Sequence, residues 1–275
     1  MTDKQPSWFS TAVTALADPQ NQRVWSIIVS LFGDLAQRDG DQINGSTLTR
    51  IITPMGIKPE AIRVALHRLR KDGWIDSTRS GRASVHFLTQ MGRSQSAAVT
   101  PRIYAASTVP LVDWHILIAG DGQTSALDAL AQQPNYVGVN RSTILGHGSL
   151  PRDHHDLLVV KDPDLSVPNW LCEHLFPEDL KLTCARLDST LAGLKLPNAL
   201  LAEANAVDWA QIATLRTMIV HRWRRVVLRH PDLPSRFHPD DWVGESCRHR
   251  VAALLHNLPR PHLNQAGELL APPLP

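Results

Sequence analysis

The 275-residue sequence predicts an α+β protein built from several domains. Three observations carry that expectation. Residues 46–89 read as helix, break, helix and basic hairpin. Residues 114–160 alternate short apolar runs with one short helix. From Pro168 onward the pattern turns helical, with breaks at Pro177, Pro197 and Pro231. A hydrophobic content of 43% and a charged content of 20% are globular values. No apolar run approaches the ~18 residues that suggest a membrane span. Residues 1–19 lack the basic start and continuous apolar core of a signal peptide, so a cytoplasmic location is expected. Three cysteines, an odd number, suit a reducing compartment.

Taken in order, residues 19–37 are expected as a helix with Val24, Ile27, Ile28, Leu31 and Leu35 on one side, capped by Asp18. Ser46–Ile52 opens a second helix, and Pro54-Met55-Gly56-Ile57 breaks it. The next helix runs from Pro59 to Asp72. Proline suits its first position, where the missing N–H would have no partner, and Gly73 can take the left-handed conformation that ends it. Ile62, Leu66 and Leu69, widened by Ala65, form a core-facing stripe. Arg63, His67 and Arg70 repeat that spacing one residue later, flanked by Arg68 and Lys71 and preceded by Lys58. The hairpin starts at Trp74-Ile75, turns at Ser80-Gly81 and returns through Ala83, Val85 and Phe87, which alternate as one buried face should. Arg79 and Arg82 flank the turn.

A helix behind a tight turn, followed by a basic β-ribbon, is the layout of a winged helix-turn-helix DNA reader. Between Lys58 and Arg93 there are eight Lys/Arg and three Asp/Glu, a local net of +5 on a chain whose total is +2. The alternative is a solvated helix and hairpin with basic decoration. The succession of both, in this order and both basic, favours DNA. The candidate DNA-binding residues are therefore Lys58, Arg63, His67, Arg68, Arg70 and Lys71 on the helix and Arg79 and Arg82 on the hairpin.

Residues 94–101, small and polar, are expected as a linker. Trp114–Ala119 reads as a buried strand, residues 125–132 as a short helix, and Tyr136–Val139, Ser142–Leu145 and Leu157–Val160 as further strands of a small α/β domain. The domain expectation is thus 1–93, 94–166 and 167–275. Charge follows the division: residues 1–100 carry a net +4, residues 101–207 a net −5 and residues 208–275 a net +3, so DNA attracts both ends and repels the middle. In the last part a long helix is expected over 207–230, with Trp209, Ile212, Leu215, Ile219, Val226 and Val227 on one face and Arg216, Arg222, Arg224, Arg225 and Arg229 on the other. That basic face could meet DNA, a partner or phosphates, or be the exterior of a core helix. The proline-rich segment 232–244 is expected to fold onto this helix, anchored by Trp242.

The run Ala61–Ile75, then Arg79-Ser80-Gly81-Arg82-Ala83-Ser84 and Leu88-Thr89, closely resembles the N-terminal domain of the PaaX family, bacterial repressors of phenylacetate catabolism. Ile28–Asp34 resembles that family's first helix. Asp232-Leu233-Pro234 with Pro239-Asp240-Asp241-Trp242-Val243-Gly244, behind His221-Arg222-Trp223-Arg224-Arg225, resembles its C-terminal signature. The resemblance implies a GntR-like winged helix, a central ferredoxin-like domain similar to Cas2, a helical C-terminal domain, and release from DNA by an aromatic acyl-CoA such as phenylacetyl-CoA. The chain departs from the family in the middle: Thr124–Leu130 lacks the arginines usual there. If a thioester binds, its phosphates are expected near Arg222, Arg224 or Arg225, and Trp242 is a further ligand candidate. A homodimer on an inverted-repeat operator is expected.

Other chemistries are weaker. Asp153-His154-His155-Asp156, Cys172 with His174, and Cys247 with His249 lack the paired spacing of zinc sites, so no metal or cofactor is expected. Asp121 stands where a Cas2-like nuclease keeps a metal aspartate, but no hydrolase elbow, phosphate loop or dinucleotide fingerprint is present, and the expectation is not an enzyme. A ligand-independent DNA-binding scaffold is the remaining alternative.

Overall fold

A computed structural model describes residues 7–21, 23–80, 83–106, 113–122, 124–133, 135–152, 154–161, 166–197, 208–229 and 233–272. Helix and small antiparallel sheets mix throughout, an α+β architecture. By their contacts the residues group into two compact units. One falls within Met1–Ala106, Leu187–Arg225 and Arg248–Pro275, the other within Ser107–Arg186 and Val226–Cys247.

The first unit begins with a helix the sequence reading did not anticipate, α1 (Ser7–Leu16), which buries Phe9, Ala12 and Leu16. The single helix expected over 19–37 is divided. Pro19–Asn21 forms a 3-10 turn, and α2 (Val24–Leu35) starts after it. Asp18 closes the turn instead of capping a long helix: its carboxylate accepts from Asn21 Nδ2 at 2.9 Å. Ile27, Ile28, Leu31 and Leu35 are buried as expected, and Val29 and Phe32 are buried as well. A two-residue strand β1 (Ile43–Asn44) leads into α3 (Gly45–Ile52), where Asn44 accepts the Thr47 backbone N–H at 2.7 Å. Helix α4 (Pro59–Lys71) follows, stopped by Gly73 at φ +72°.

Strands β2 (Ile75–Ser80) and β3 (Ala83–Leu88) pair antiparallel, and β1 adds to β3, giving the order β1-β3-β2. Because β3 is central, burial is not confined to the expected alternating face. Val85 is buried and Phe87 half-buried, while His86 and Leu88 on the opposite face are buried too. Gly81 and Arg82 lie outside the described residues. Residues 94–101 are not a linker but the middle of α5 (Gln90–Tyr104), whose first turn is capped by Thr89 accepting from Gly92 N–H at 3.0 Å. A good cap and two inward residues, Ser96 and Ile103, make a helix of a stretch whose composition suggested a connector.

Helix α9 (Trp209–Val227) departs most from expectation. Ile212, Leu215, Ile219, Val226 and Val227 are buried and Trp209 is half-buried, but Thr214, Arg216, Thr217, Val220 and Trp223 are buried as well, so Arg216 is lost from the expected basic exterior while Arg222, Arg224 and Arg225 are half-buried and Arg229 is exposed. Arg216 is tolerated inside because its fork meets the carboxylate of buried Asp34, with Nε and Nη2 each 2.8 Å from an oxygen. Its remaining nitrogen donates to Leu255 O at 3.0 Å and to Leu258 O. Tyr104 donates to Asp34 at 2.8 Å, and Arg260 stands 3.6 Å away. Burial and the Asp34 charge push the Tyr104 hydroxyl well above the usual phenol range. One ionic knot thus joins α2, α5, α9, α10 (Gly244–Asn257) and the chain after it. A hairpin of β8 (His262–Leu263) and β9 (Leu269–Leu270) also reaches back, where Gly267 O accepts from Asn44 N–H at 3.0 Å.

In the second unit, β4 (Trp114–Ala119), α6 (Ser125–Leu130), β5 (Tyr136–Asn140), β6 (Thr143–His147) and β7 (Leu157–Lys161) match the expected strand-helix-strand-strand-strand succession. They form an antiparallel sheet in the order β5-β6-β4-β7. Alternation along β4 sends Leu117 and Ala119 to the face covered by α6, and Trp114 and Ile116 to the other. That second face is covered by α7 (Asn169–Leu175), Phe176 and the proline-rich segment, through Leu233, Phe237 and Trp242. Trp242 packs the segment against the sheet's apolar cluster: its ring lies 4.9 Å from that of Phe176. Gly244 is required by this turn, since a Cβ there would stand 2.3 Å from the Trp242 indole nitrogen. Helix α8 (Glu178–Ala192) completes the elements.

Candidate nucleic-acid interface

Helix α4 presents two distinct faces. Ile62, Ala65, Leu66 and Leu69 are buried, and α2 packs against the helix. Lys58, Arg63, His67, Arg68, Arg70 and Lys71 are all exposed. Their engagements differ. Arg63 sits 3.9 Å from Glu60, one turn earlier, at 74% side-chain exposure, a weak and easily exchanged pair. Arg68 is 3.5 Å from Asp72, with its guanidinium 5.5 Å from the centre of the Trp25 ring. Arg70 is exposed like Arg63 and His67. It donates to Ser77 Oγ on β2 at 3.0 Å and braces the helix against the hairpin. A second exposed row runs through Val64, His67, Arg68 and Lys71, which follow i, i+3, i+4, i+7.

Val64 escaped the sequence reading. It is 70% exposed in the middle of this cationic face, the largest relative exposure among the described large apolar side chains found at the surface. The signal was present: a β-branched residue on the polar side of an amphipathic helix has no packing reason to be there. Arg79 is exposed on β2, opposite Ser84. Arg82, the other candidate of the hairpin, lies outside the described residues. His86 is buried in β3, and burial first, then the Arg70 charge, lowers its pKa, so it is a neutral support of the hairpin. Arg93 is structural, donating to Leu88 O at 2.8 Å and pairing with Asp39 at 3.0 Å. The face as a whole offers mobile cations and one apolar group to a polyanion.

The four ligand candidates are divided between the two units. Trp242 belongs to the sheet cluster of the second unit, and the three arginines belong to α9 in the first. Arg225 is tied to Asp18 at 3.0 Å. Arg222 is half-buried and engaged. Arg224 is half-buried, and among the described residues it makes no ion pair or hydrogen bond. Among the described residues no group of three metal-ligating side chains occurs. His154 and His155 stack at 5.2 Å, Asp153 lies outside the described residues, and Asp121 is exposed in a turn. Among the described residues no helix is long and apolar enough to cross a membrane.

With this geometry in place, comparison with known proteins is informative. Residues 23–92 match the family model described as PaaX-like protein. Residues 195–265 match the model described as PaaX-like protein C-terminal domain. The two matches occur in the order the motifs suggested, one holding α4 and its hairpin, the other α9 and Trp242. The chain belongs to the PaaX family. It is 26% identical over 242 residues to the transcriptional repressor PaaX of Escherichia coli (strain K12), an alignment covering 81% of this chain and 76% of that protein. Among solved structures, an uncharacterized protein, Rv0674, from Mycobacterium tuberculosis aligns with a TM-score of 0.48 at 20% identity, covering 85% of this chain and 96% of that one.

Proposed function

We propose that this protein is a DNA-binding transcriptional repressor that reads an inverted-repeat operator as a homodimer in the cytoplasm, and that it is not an enzyme. The observation that carries the reading is the open cationic face of α4 standing beside the β2–β3 hairpin. Helices α2, α3 and α4 with the β1-β3-β2 sheet support a winged helix-turn-helix, in which α4 enters the major groove and the hairpin meets backbone phosphate. Arg63, Val64, His67, Arg68 and Lys71 face the groove in this reading, Lys58, Arg79 and Arg82 meet phosphates, and Arg70 holds helix to hairpin. Val64 suits the C5-methyl of a thymine. The similarity to a protein named a transcriptional repressor points the same way.

The division of labour follows segments 1–93, 94–166 and 167–275. A ferredoxin-like middle is supported by the strand order β5-β6-β4-β7 and by the helix α6 that crosses from β4 to β5. Family membership supports an aryl-acyl-CoA as effector and an aromatic-acid operon as target. A second reading, a DNA-binding dimer indifferent to thioesters, is favoured by the engagement of Arg225 with Asp18. Selection of bound duplexes from random DNA, repeated with a panel of acyl-CoAs that includes phenylacetyl-CoA, tests both. A recurrent inverted repeat is expected, weakened by at least one thioester. Selection that returns no motif overturns the DNA reading, and a motif indifferent to every thioester selects the second.

A further inference from the structure

The four-stranded sheet ends on two edge strands that differ in protection. β5 carries a register shift between Gly138 and Asn140, and His174 Nε2 on α7 donates to the Gly138 carbonyl at 3.0 Å. A bulge and a covering helix both keep an edge from pairing. β7 has neither. Its residues Leu157-Leu158-Val159-Val160-Lys161 pair in unbroken register with β4, and among the described residues no strand pairs with their other side. Leu158, opposite Ile118, is 63% exposed, and Val160, opposite Ile116 on the same face, is half-buried. The pairing also fixes which backbone groups point outward. Ala119 N–H donates to Ser142 O at 2.9 Å, on the β6 side, so the groups of Ala119, Leu117 and His115 turn away from β7. Their partners Leu157, Val159 and Lys161 therefore aim N–H and C=O at the open edge. One of these groups is already used, since Leu157 N–H donates to His154 O at 3.0 Å.

We propose that β7 pairs antiparallel with β7 of a second copy of this chain, about a two-fold axis through Val159. The inference rests on the homodimer reading and gives it a surface. Two-fold pairing sets a residue opposite itself, and only a residue with outward groups can occupy that place. Leu157 lacks a spare N–H, and a centre on Lys161 would set two lysines face to face. At Val159 the two copies exchange N–H···O bonds, and each Lys161 N–H reaches the Leu157 carbonyl of the other copy. Leu158 of each copy then lies against Val160 of the other, which covers the exposed leucine with an aliphatic neighbour. The charges agree: the two lysines fall at opposite ends of the seam, about 14 Å apart, and each arrives beside the exposed Asp156 that precedes the other copy's strand. Five residues a side is well below the roughly 20–30 of a stable interface. The seam is therefore reversible in solution and is reinforced when a duplex holds two copies on neighbouring half-sites.

Sedimentation velocity of the full chain over a concentration series tests the seam, comparing the parent with Val159→Pro and Leu158→Lys. The proline removes the central outward N–H and spares the bonds to β4, a place edge strands tolerate. The parent is expected to pass from monomer to dimer as concentration rises, and both variants to associate at least tenfold more weakly. On a selected operator, both variants should keep the parent's affinity for a single half-site and lose the extra affinity that a second half-site gives. Variants that associate like the parent, free and on the operator, overturn the seam and leave the homodimer reading standing. A parent that stays monomeric and fills two half-sites independently overturns the homodimer reading, and the seam with it. Binding to no DNA refutes the DNA reading, and the sedimentation result then decides the seam alone. If Val159→Pro fails to fold, Leu158→Lys decides. A Leu158→Lys melting temperature well below that of the monomeric parent would mean that another part of the chain covers this edge, which also overturns the seam.

Discussion

Val64 and Arg63 sit side by side on α4 and should fail in different ways. Arg63→Ala is expected to relax base preference and cost about 1–3 kcal/mol if the guanidinium reads a base edge. Val64→Ala should leave non-specific binding intact and remove sensitivity to the thymine methyl. Replacing operator thymines by deoxyuridine should weaken the parent protein at one position of each half-site and leave Val64→Ala unaffected there. Equal sensitivity in both proteins would remove Val64 from the interface. At the other end of the polarity scale, Asp34 is buried and serves Arg216, Tyr104 and Arg260 together. Asp34→Ala strands a buried guanidinium, and urea denaturation should report a loss of about 3–5 kcal/mol.

At the scale of elements, the C-terminal hairpin offers the sharpest test. Gly267 has φ +73°, and a Cβ on it would stand 2.5 Å from Asn44 N. Gly267→Ala should therefore lower the melting temperature by pushing the hairpin off β1, whereas Ala266→Gly, one residue earlier, should have a much smaller effect. Elements set by local rules were legible in the sequence. Helix α4 was readable because its period, its Pro59 start and its Gly73 stop agree, and the central strands because their apolar runs are short and bounded. Elements set by distant partners were not. Arg216 looked like an exterior residue because its partner, Asp34, lies 182 positions away. The bond from Arg70 to Ser77 was equally hidden, because the spacing of a helix does not reveal a serine on the neighbouring strand. The linker expected at 94–101 failed for a different reason: small polar residues serve helices and connectors alike, and the Thr89 cap decides between them.

For the molecule as a whole, acid should act through α9. His221 is 6% exposed, and burial first, then the charges of Arg225 and Arg224, pushes its pKa down to about 4. Its imidazole is neutral in the fold at neutral pH, while the unfolded chain takes up a proton near pH 6.5. This contribution to stability is fully present above pH 6.5 and is lost as pH falls towards 4, by about 3 kcal/mol in all. His221→Asn should flatten the stability profile across that window in urea titrations. A profile unchanged by the substitution would place the acid sensitivity elsewhere. The same helix carries the network that ties the N-terminal and C-terminal family segments into one unit, so loss of α9 packing should disable DNA reading without touching α4.

The most direct test of the central claim is fluorescence anisotropy on a selected operator, comparing the parent chain with Arg63→Glu and Lys71→Glu combined. Both side chains are exposed on α4, so the fold should survive, as circular dichroism would check. The account predicts a loss of operator affinity of about a hundredfold or more, together with a shallower dependence on salt, because cations that meet bases and phosphates become anions. Operator binding of parental strength and parental salt slope in the folded double variant would contradict it.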